Sequence, residues 1–240
     1  MSDKLVIIPT YNEKENIEAI IQAVLAVDGA FDILIVDDSS PDGTGEIIKR
    51  LIPTSNGRLH LEVRTTKDGL GRAYVHGFKW ALAHDYQYIF EMDADFSHNP
   101  NDLPKLYEAL VQGADVSVGS RYCKGVNVVN WPMERVLLSY FASKYVRIIT
   151  NLPVHDATAG FVGYKAEVLK TLGLDEIKFK GYGFQIEMKY KSWIKKFKIQ
   201  EVPIIFTDRT LGESKISSDI IGEAVFGVIS LRLRNMFGKL

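Results

Sequence analysis

Tyr88-Ile89-Phe90-Glu91-Met92-Asp93-Ala94-Asp95 is a short apolar run, suited to a buried strand, that stops at two carboxylates spaced i, i+2. On an extended backbone that spacing turns both side chains to the same side. Two hard oxygen ligands so placed suit Mg²⁺ or Mn²⁺ and leave most of the coordination shell to water and phosphate oxygens. The same residues also fit a solvated pair of aspartates ahead of a helix starting near Pro100, so the flanking sequence has to decide.

Outward from that strand, extended and helical patterns alternate along the chain, with no repeat, low-complexity tract or linker. Alternation implies an α/β fold with a mostly parallel central sheet flanked by helices. Residues 5–8 carry the pattern of a first strand, which ends in Pro9-Thr10-Tyr11-Asn12-Glu13 and leads into a helix with Ile17, Ile20, Ile21, Val24 and Leu25 at helical spacing. A second strand over 33–36 ends in Asp37-Asp38-Ser39-Ser40-Pro41-Asp42-Gly43-Thr44. Polar groups thus gather at strand carboxyl ends, where open α/β sheets bind ligands. Ser, Pro, Asp and Gly also make an ordinary turn into a helix over 46–51. Leu59–Val63 reads as a third strand, followed by Lys67-Asp68-Gly69-Leu70-Gly71-Arg72. Glycines beside cations at a helix start could approach a phosphate, yet the spacing fits neither the phosphate loop nor the dinucleotide fingerprint.

Past the aspartates, a helix over 102–111 and a strand over 116–119 lead to Ser120-Arg121-Tyr122. Arg121 could reach the cleft of Asp93 and Asp95 or stand as a surface charge. Residues 123–131 read as a loop. In the helix expected over Met133–Thr150, Arg135 and Ser139 lie four apart on one face. Its other positions, among them Leu137, Leu138, Phe141 and Ile148, are apolar nearly all round, as in a helix that is deeply buried or beside lipid. His155 has no partner at ligand spacing and reads as a loop residue. A basic helix opens near Gly181-Tyr182-Gly183, and a strand over 199–206 precedes Thr207-Asp208-Arg209-Thr210-Leu211-Gly212-Glu213-Ser214-Lys215. Arg209 and Lys215 bracket a glycine turn there and could close over a diphosphate, unless the loop is simply solvated.

A chain of 240 residues, 46% of them hydrophobic, fits one large domain better than two small ones. A formal net charge of −1 gives no support for a nucleic-acid partner. One cysteine, Cys123, excludes an internal disulfide and a cysteine metal site, in keeping with a reducing compartment. Residues 1–4 run straight into a strand pattern, so no secretory signal is expected. The longest apolar stretch, 220–231, contains Glu223 and is too short to span a bilayer.

Taken in order, Pro9 to Glu13, Val36 to Thr44, Gly69-Leu70-Gly71, Asp93-Ala94-Asp95, Gly119 to Tyr122 and Arg209 to Lys215 resemble the family 2 inverting glycosyltransferases of GT-A fold, and more narrowly the dolichol-phosphate (polyprenol-phosphate) mannosyltransferases. The similarity runs from about Leu5 to Lys215; jointly the motifs are highly specific. It implies a GDP-mannose donor and a polyprenyl/dolichyl phosphate acceptor, joined with inversion. By position it implies that Pro9, Tyr11, Glu13 and Asp38 line the nucleoside pocket, with Ala94 between the metal ligands Asp93 and Asp95. Arg209 and Lys215 would clamp the diphosphate, while Arg121, Arg135 and Ser139 would receive the acceptor phosphate. Some members bind the metal with a glutamine where this chain has Ser97.

The chemistry of such a transfer favours metal and arginine most in the transition state, where the departing diphosphate gains charge. A lipid monophosphate, with a second pKa of about 6, is already an anionic nucleophile and needs no base. A hydroxyl acceptor would need one, and Glu187 is the candidate. Residues 219–237 read as an amphipathic helix, apolar at Ile220, Ile221, Val225, Val228, Ile229, Leu231 and Phe237, fit to lie at a membrane interface, on its own domain, or against a membrane-anchoring partner subunit. The expected organisation is a catalytic domain over 1–216 and this helix over 217–240, peripheral at the cytoplasmic face of a membrane. The alternatives are transfer from UDP-glucose or another nucleotide sugar, to a polyprenyl phosphate or a glycan hydroxyl, and a non-catalytic nucleotide-sugar-binding scaffold.

Overall fold

Side chains on the strands alternate between two cores, and that alternation fixes a sheet sandwiched by helices. In β1 (Lys4–Thr10), Leu5 and Ile7 pack on one face, Val6 and Ile8 on the other. The computed structural model describes residues 2–181, 183–208 and 218–238, except for the side chains of 218–225. The other strands of the sheet are β2 (Asp32–Asp37), β3 (Leu59–Val63), β4 (Tyr88–Glu91), β5 (Val116–Ser120), β7 (Val162–Lys165) and β8 (Ile199–Pro203), in the order β3-β2-β1-β4-β7-β5-β8. On one face lie α1 (Ile17–Leu25), α2 (Thr44–Leu51) and α4 (Leu103–Val111); on the other lie α3 (Leu70–Ala83), α5 (Met133–Thr150), α6 (Ala166–Thr171), α7 (Gly183–Ile194) and α8 (Ser218–Met236).

The expected parallel sheet holds except at β7, which runs antiparallel between β4 and β5. This reversal matters for the site. Glu91, the last residue of β4, pairs with Val162, the first of β7, so the segment leading into β7 arrives at the edge where the other strands end. Only glycine fits at Gly163, where a Cβ would lie 2.6 Å from both the Phe90 ring and Ser117 Oγ. Gly163→Val is expected to cost several kcal/mol by overpacking, read as a lowered denaturation midpoint.

Three sequence expectations change. The strand expected over 199–206 is broken: β8 ends at Pro203, and Phe206–Thr207 forms β9, paired in parallel with β6 (Val128–Val129) inside the expected loop. The glycines before α3 serve packing, since a Cβ on Gly71 would strike Phe179 O and the Phe184 ring at 2.7 and 2.8 Å, and one on Gly69 would strike Lys180. The basic helix α7 is almost wholly interior, burying Lys189 and Lys191.

Candidate active site

The loops after β1 and β2 interlock. Thr10 Oγ1 donates to Asp37 Oδ1 at 2.8 Å, Glu13 N–H donates to Thr44 Oγ1, and Asp42 accepts from Lys14 and Thr44. Asn12 and Ser39 take left-handed backbone conformations in these loops. Pro9 is half-buried. Tyr11 is stacked against Lys67, whose Nζ sits 3.8 Å from the ring centroid, and Glu13 accepts from the Asn16 side chain. Asp38 pairs with Arg64 at 2.7 Å; burial pushes its carboxyl up and Arg64 pulls it back.

The aspartate pair lies just past β4, which stops at Glu91, and Asp95 falls in the bend over 94–98. Asp95 is buried and accepts Ser97 N–H at 3.1 Å, whereas the Asp93 side chain is 39% exposed. Ala94 is buried between them. Phe96 holds a φ of 60°, uncommon for a bulky side chain, and this turns the chain sharply after Asp95. His98 braces the bend: its Nδ1 accepts Asp93 N–H at 3.2 Å and its ring stacks on Phe161. Burial pushes this imidazole down to about 4, against the pull of Asp95, so it is neutral and carries its proton on Nε2. As a donor set, two carboxylates of unequal exposure and the buried Ser97 hydroxyl, which lacks a hydrogen-bond partner, fit a divalent cation completed by phosphates and water. No group of three His, Cys, Asp or Glu side chains suited to a metal occurs among the described residues.

Beneath the pair, Glu91 is fully buried and accepts Gln185 Nε2 at 2.7 Å. Lys189 Nζ, also buried, donates to Ala159 O at 2.6 Å and to Gln185. One ammonium therefore ties α7 to β4, through Gln185, and to the segment entering β7.

That segment holds the first arginine. Arg121 Nε and a terminal nitrogen grip the fully buried Asp156 at 2.7 and 2.6 Å, and the same nitrogen reaches Thr158 Oγ1. Asp156 is itself fixed by Glu201, which accepts its N–H and the His155 side chain. Arg135 lies on α5 with its guanidinium 4.2 Å from the Trp131 ring and bonded to Asp208 at 2.7 Å. Arg121 faces the same Trp131 ring at 5.5 Å, and Ser139 lies beside the Tyr122 hydroxyl. The fold thus gathers Arg121, Arg135 and Ser139 around Trp131 and Tyr122. Arg209 and Lys215 lie outside the described residues. Asp156→Asn is expected to destabilise the fold by about 3–5 kcal/mol, because the buried Arg121 loses its countercharge, read as a lowered denaturation midpoint.

Glu187 is not poised as a base. It is fully buried, accepts the N–H groups of Lys178 and Phe179 at 2.9 and 3.0 Å, and faces Arg234 of α8. Asp156, Trp131, Asp208, Gln185 and Lys189 are given no role by the sequence, since each bonds or packs against a partner elsewhere in the chain.

The profile of glycosyl transferase family 2 matches residues 5–173. The chain belongs to this family. As a family 2 glycosyltransferase it is 45% identical to the polyprenol monophosphomannose synthase of Mycolicibacterium smegmatis, over 98% of this chain and 89% of that protein. It is 46% identical to the undecaprenyl-phosphate mannosyltransferase of Micrococcus luteus, over 93% and 91%. The dolichol-phosphate mannosyltransferase of Pyrococcus furiosus is 39% identical over 91% of this chain and 60% of its own. Among solved structures, glucosyl-3-phosphoglycerate synthase from Mycobacterium tuberculosis, in complex with Mn²⁺ and UDP, superposes with a TM-score of 0.66 at 20% identity, covering 98% of this chain and 79% of that one. A mannosyltransferase from Pyrobaculum calidifontis, in complex with GDP-Man and Mn²⁺, gives 0.59 at 16%, covering 99% and 72%. These glycosyltransferase neighbours share the fold.

Proposed function

We propose that this glycosyltransferase moves mannose from GDP-mannose to a polyprenyl monophosphate, with inversion at the anomeric carbon. The observation that carries the reading is the cluster of Arg121, Arg135 and Ser139 beside the aspartate pair in a chain closely similar to polyprenol-phosphate mannosyltransferases. A phosphate oxygen attacks C1 from the face opposite the nucleotide, and the C1–O bond to the diphosphate breaks with its electron pair leaving on GDP. Arg121 and Arg135 hold the nucleophile, and the loops bearing Pro9, Tyr11, Glu13 and Asp38 hold the nucleoside. Asp93 and Asp95 would hold Mg²⁺ or Mn²⁺, which when bound supplies positive charge to the departing diphosphate. Arg209 and Lys215 would clamp that diphosphate. Glu187, engaged by two backbone N–H groups, leaves a hydroxyl acceptor without its base and so favours the phosphate.

A peripheral place at the cytoplasmic face of a membrane fits the paired helices α5 and α8. Only Ser143, Val146 and Thr150 of α5 are buried; Met133, Leu137, Leu138, Phe141 and Ile148 face outward. On α8, Val228 and Leu231 join the core, Arg234 faces Glu187 and Asn235 bonds Tyr190, while Phe226, Ile229, Leu233, Met236 and Phe237 are exposed. So wide an apolar patch marks an interaction surface, and no helix among the described residues is long and apolar enough to cross a membrane. Leu138→Asp with Phe141→Asp is expected to weaken sedimentation with lipid vesicles about tenfold; unchanged sedimentation would point to a membrane-anchoring partner subunit instead.

A panel of GDP- and UDP-sugars crossed with short polyprenyl phosphates, with and without Mg²⁺ or Mn²⁺, tests donor, acceptor and metal together. Transfer from UDP-glucose alone would overturn the donor, and transfer only to glycan hydroxyls would overturn the acceptor. No turnover by the purified protein would leave a binding scaffold.

A further inference from the structure

The charged residues of α5 fall into two groups. Glu134 and Arg135 stand in its first turn, and Lys144 and Arg147 in its second half, where no carboxylate accompanies them. Neither the Lys144 nor the Arg147 side chain has a hydrogen-bond or ion-pair partner among the described residues. Leu137, Phe141, Lys144 and Ile148 follow one another at spacings of four, three and four, so they share one face of the helix. All four are exposed. Lys144 thus stands inside the outward apolar stripe, and Arg147 flanks it three positions on. Together with Ile148, Asn151, Leu152 and Pro153 the two cations line an open groove of about 410 Å³. Leu152 is buried while Asn151 and Pro153 are exposed, so the groove has an apolar base and opens to solvent. A cation at a helix C-terminus also serves the helix's own carbonyls, but that effect falls off within the last turn. It accounts for Arg147 and not for Lys144, six residues before the end.

Resting on the membrane face proposed for α5 and α8, we infer that this groove holds the headgroup phosphate of an anionic membrane phospholipid. A free anion would leave the neighbouring apolar stripe in water, and an apolar chain would leave both cations unmatched. A phospholipid presents an anionic phosphate beside acyl chains, which matches cations set within an apolar face. The groove falls in the size range of small-ligand sites, about 300–1,000 Å³. Arg147 offers a phosphate a planar fork of donors, and Lys144 a point charge. Arg135 lies 12 residues before Arg147, about 18 Å along the axis. With the groove anchored at one end and Leu137 and Phe141 inserted between, α5 lies along the bilayer surface. Its acceptor end is then held where lipid phosphates are.

The test compares Lys144→Gln with Arg147→Gln, made together, against Lys49→Gln with Arg50→Gln, which remove the same charge from exposed positions on α2, across the sheet. Sedimentation is measured with vesicles of phosphatidylcholine alone and with phosphatidylglycerol added. Parent protein is expected to bind the anionic vesicles more tightly. The groove variant should lose about tenfold to thirtyfold on them, at about fivefold per cation, and change little on neutral vesicles. The α2 variant should match the parent. Equal losses in both variants would mean diffuse attraction to charge, and no loss in either would leave the groove unused; each result overturns the inference while the apolar membrane face stands. Parent protein that binds neither vesicle would overturn the membrane reading itself, so the two failures are told apart. Calorimetry with water-soluble dihexanoyl-phosphatidylglycerol reads the groove without a bilayer. Saturable binding that the groove variant loses supports the assignment, and no binding, or binding indifferent to the substitutions, removes it. Transfer to a short polyprenyl phosphate free in solution should be unchanged, since neither cation belongs to the acceptor cluster.

Discussion

Asp95→Ala is expected to reduce mannosyl transfer by about 10³-fold or more, with the fold intact. Asp95 is the more enclosed of the two aspartates, and Ser97 N–H fixes its carboxylate. A group that is already oriented does not reorganise as charge develops, and removing one such preorganised contact typically costs two to three orders of magnitude. On the proposed metal role, losing one of the pair's two carboxylates adds to that. Asp93→Ala acts in the same direction, and chelation of the divalent cation should mimic both. Far-ultraviolet circular dichroism should be unchanged, because the pair caps no helix; the following short helical turn is capped by Asn99. Full transfer by Asp95→Ala would end the metal role of this pair.

Lys189→Met is expected to destabilise the protein by about 2–6 kcal/mol, because it strands two buried acceptors. Methionine preserves much of the stem, so the loss measures the ammonium. Without it the Ala159 carbonyl and the Gln185 side-chain oxygen are buried with no donor, each at a cost of about 1–3 kcal/mol. Urea denaturation reads the change directly, and a loss below about 1 kcal/mol would show that the ammonium is dispensable.

Its neighbour Glu91 should respond differently. Burial pushes the Glu91 carboxyl from 4.5 up to about 8, against the pull of Lys189, so near neutral pH it is largely protonated and glutamine is close to an isostere. A folded pKa raised above the unfolded value means that this group's contribution to stability is complete below 4.5 and is lost as pH rises towards 8. Lys189, pushed down by burial to about 8 from 10.5, acts with opposite sign in the window above that. Glu91→Gln should therefore gain on the parent protein in melting temperature between pH 5 and 8. A difference that is flat with pH would contradict the buried, neutral carboxyl.

Much of the fold was legible because its signals are local. Leu59–Val63 and Met133–Thr150 fall where apolar period and flanking turns place them, and the carboxyl ends of β1, β2 and β4 carry the polar residues a ligand site requires. The reversal of β7 left no comparable mark, since a strand looks the same to a period count in either direction. The exposed faces of α5 and α8 were legible only as alternatives: apolar composition offers burial or contact with lipid or a partner and does not separate them.

For the site, the sequence by itself determined the chemistry: an acidic pair after a buried strand, cations at later strand ends, and polar loops after β1 and β2, all in an order specific to one family of transferases. Only the tertiary structure decided what each charge is doing. Arg121 is held by Asp156 from 35 positions away, Arg135 by Asp208 from 73, and Glu91 reaches Gln185 across 94. The physical reason is that residue type sets which bonds a group can make, while burial and the nearest countercharge set which bonds it does make. Those depend on neighbours that the antiparallel β7, the β6–β9 pair and the interior helix α7 bring together. Glu187 shows the difference most plainly, being chemically a fit general base and structurally a buried acceptor for two backbone N–H groups.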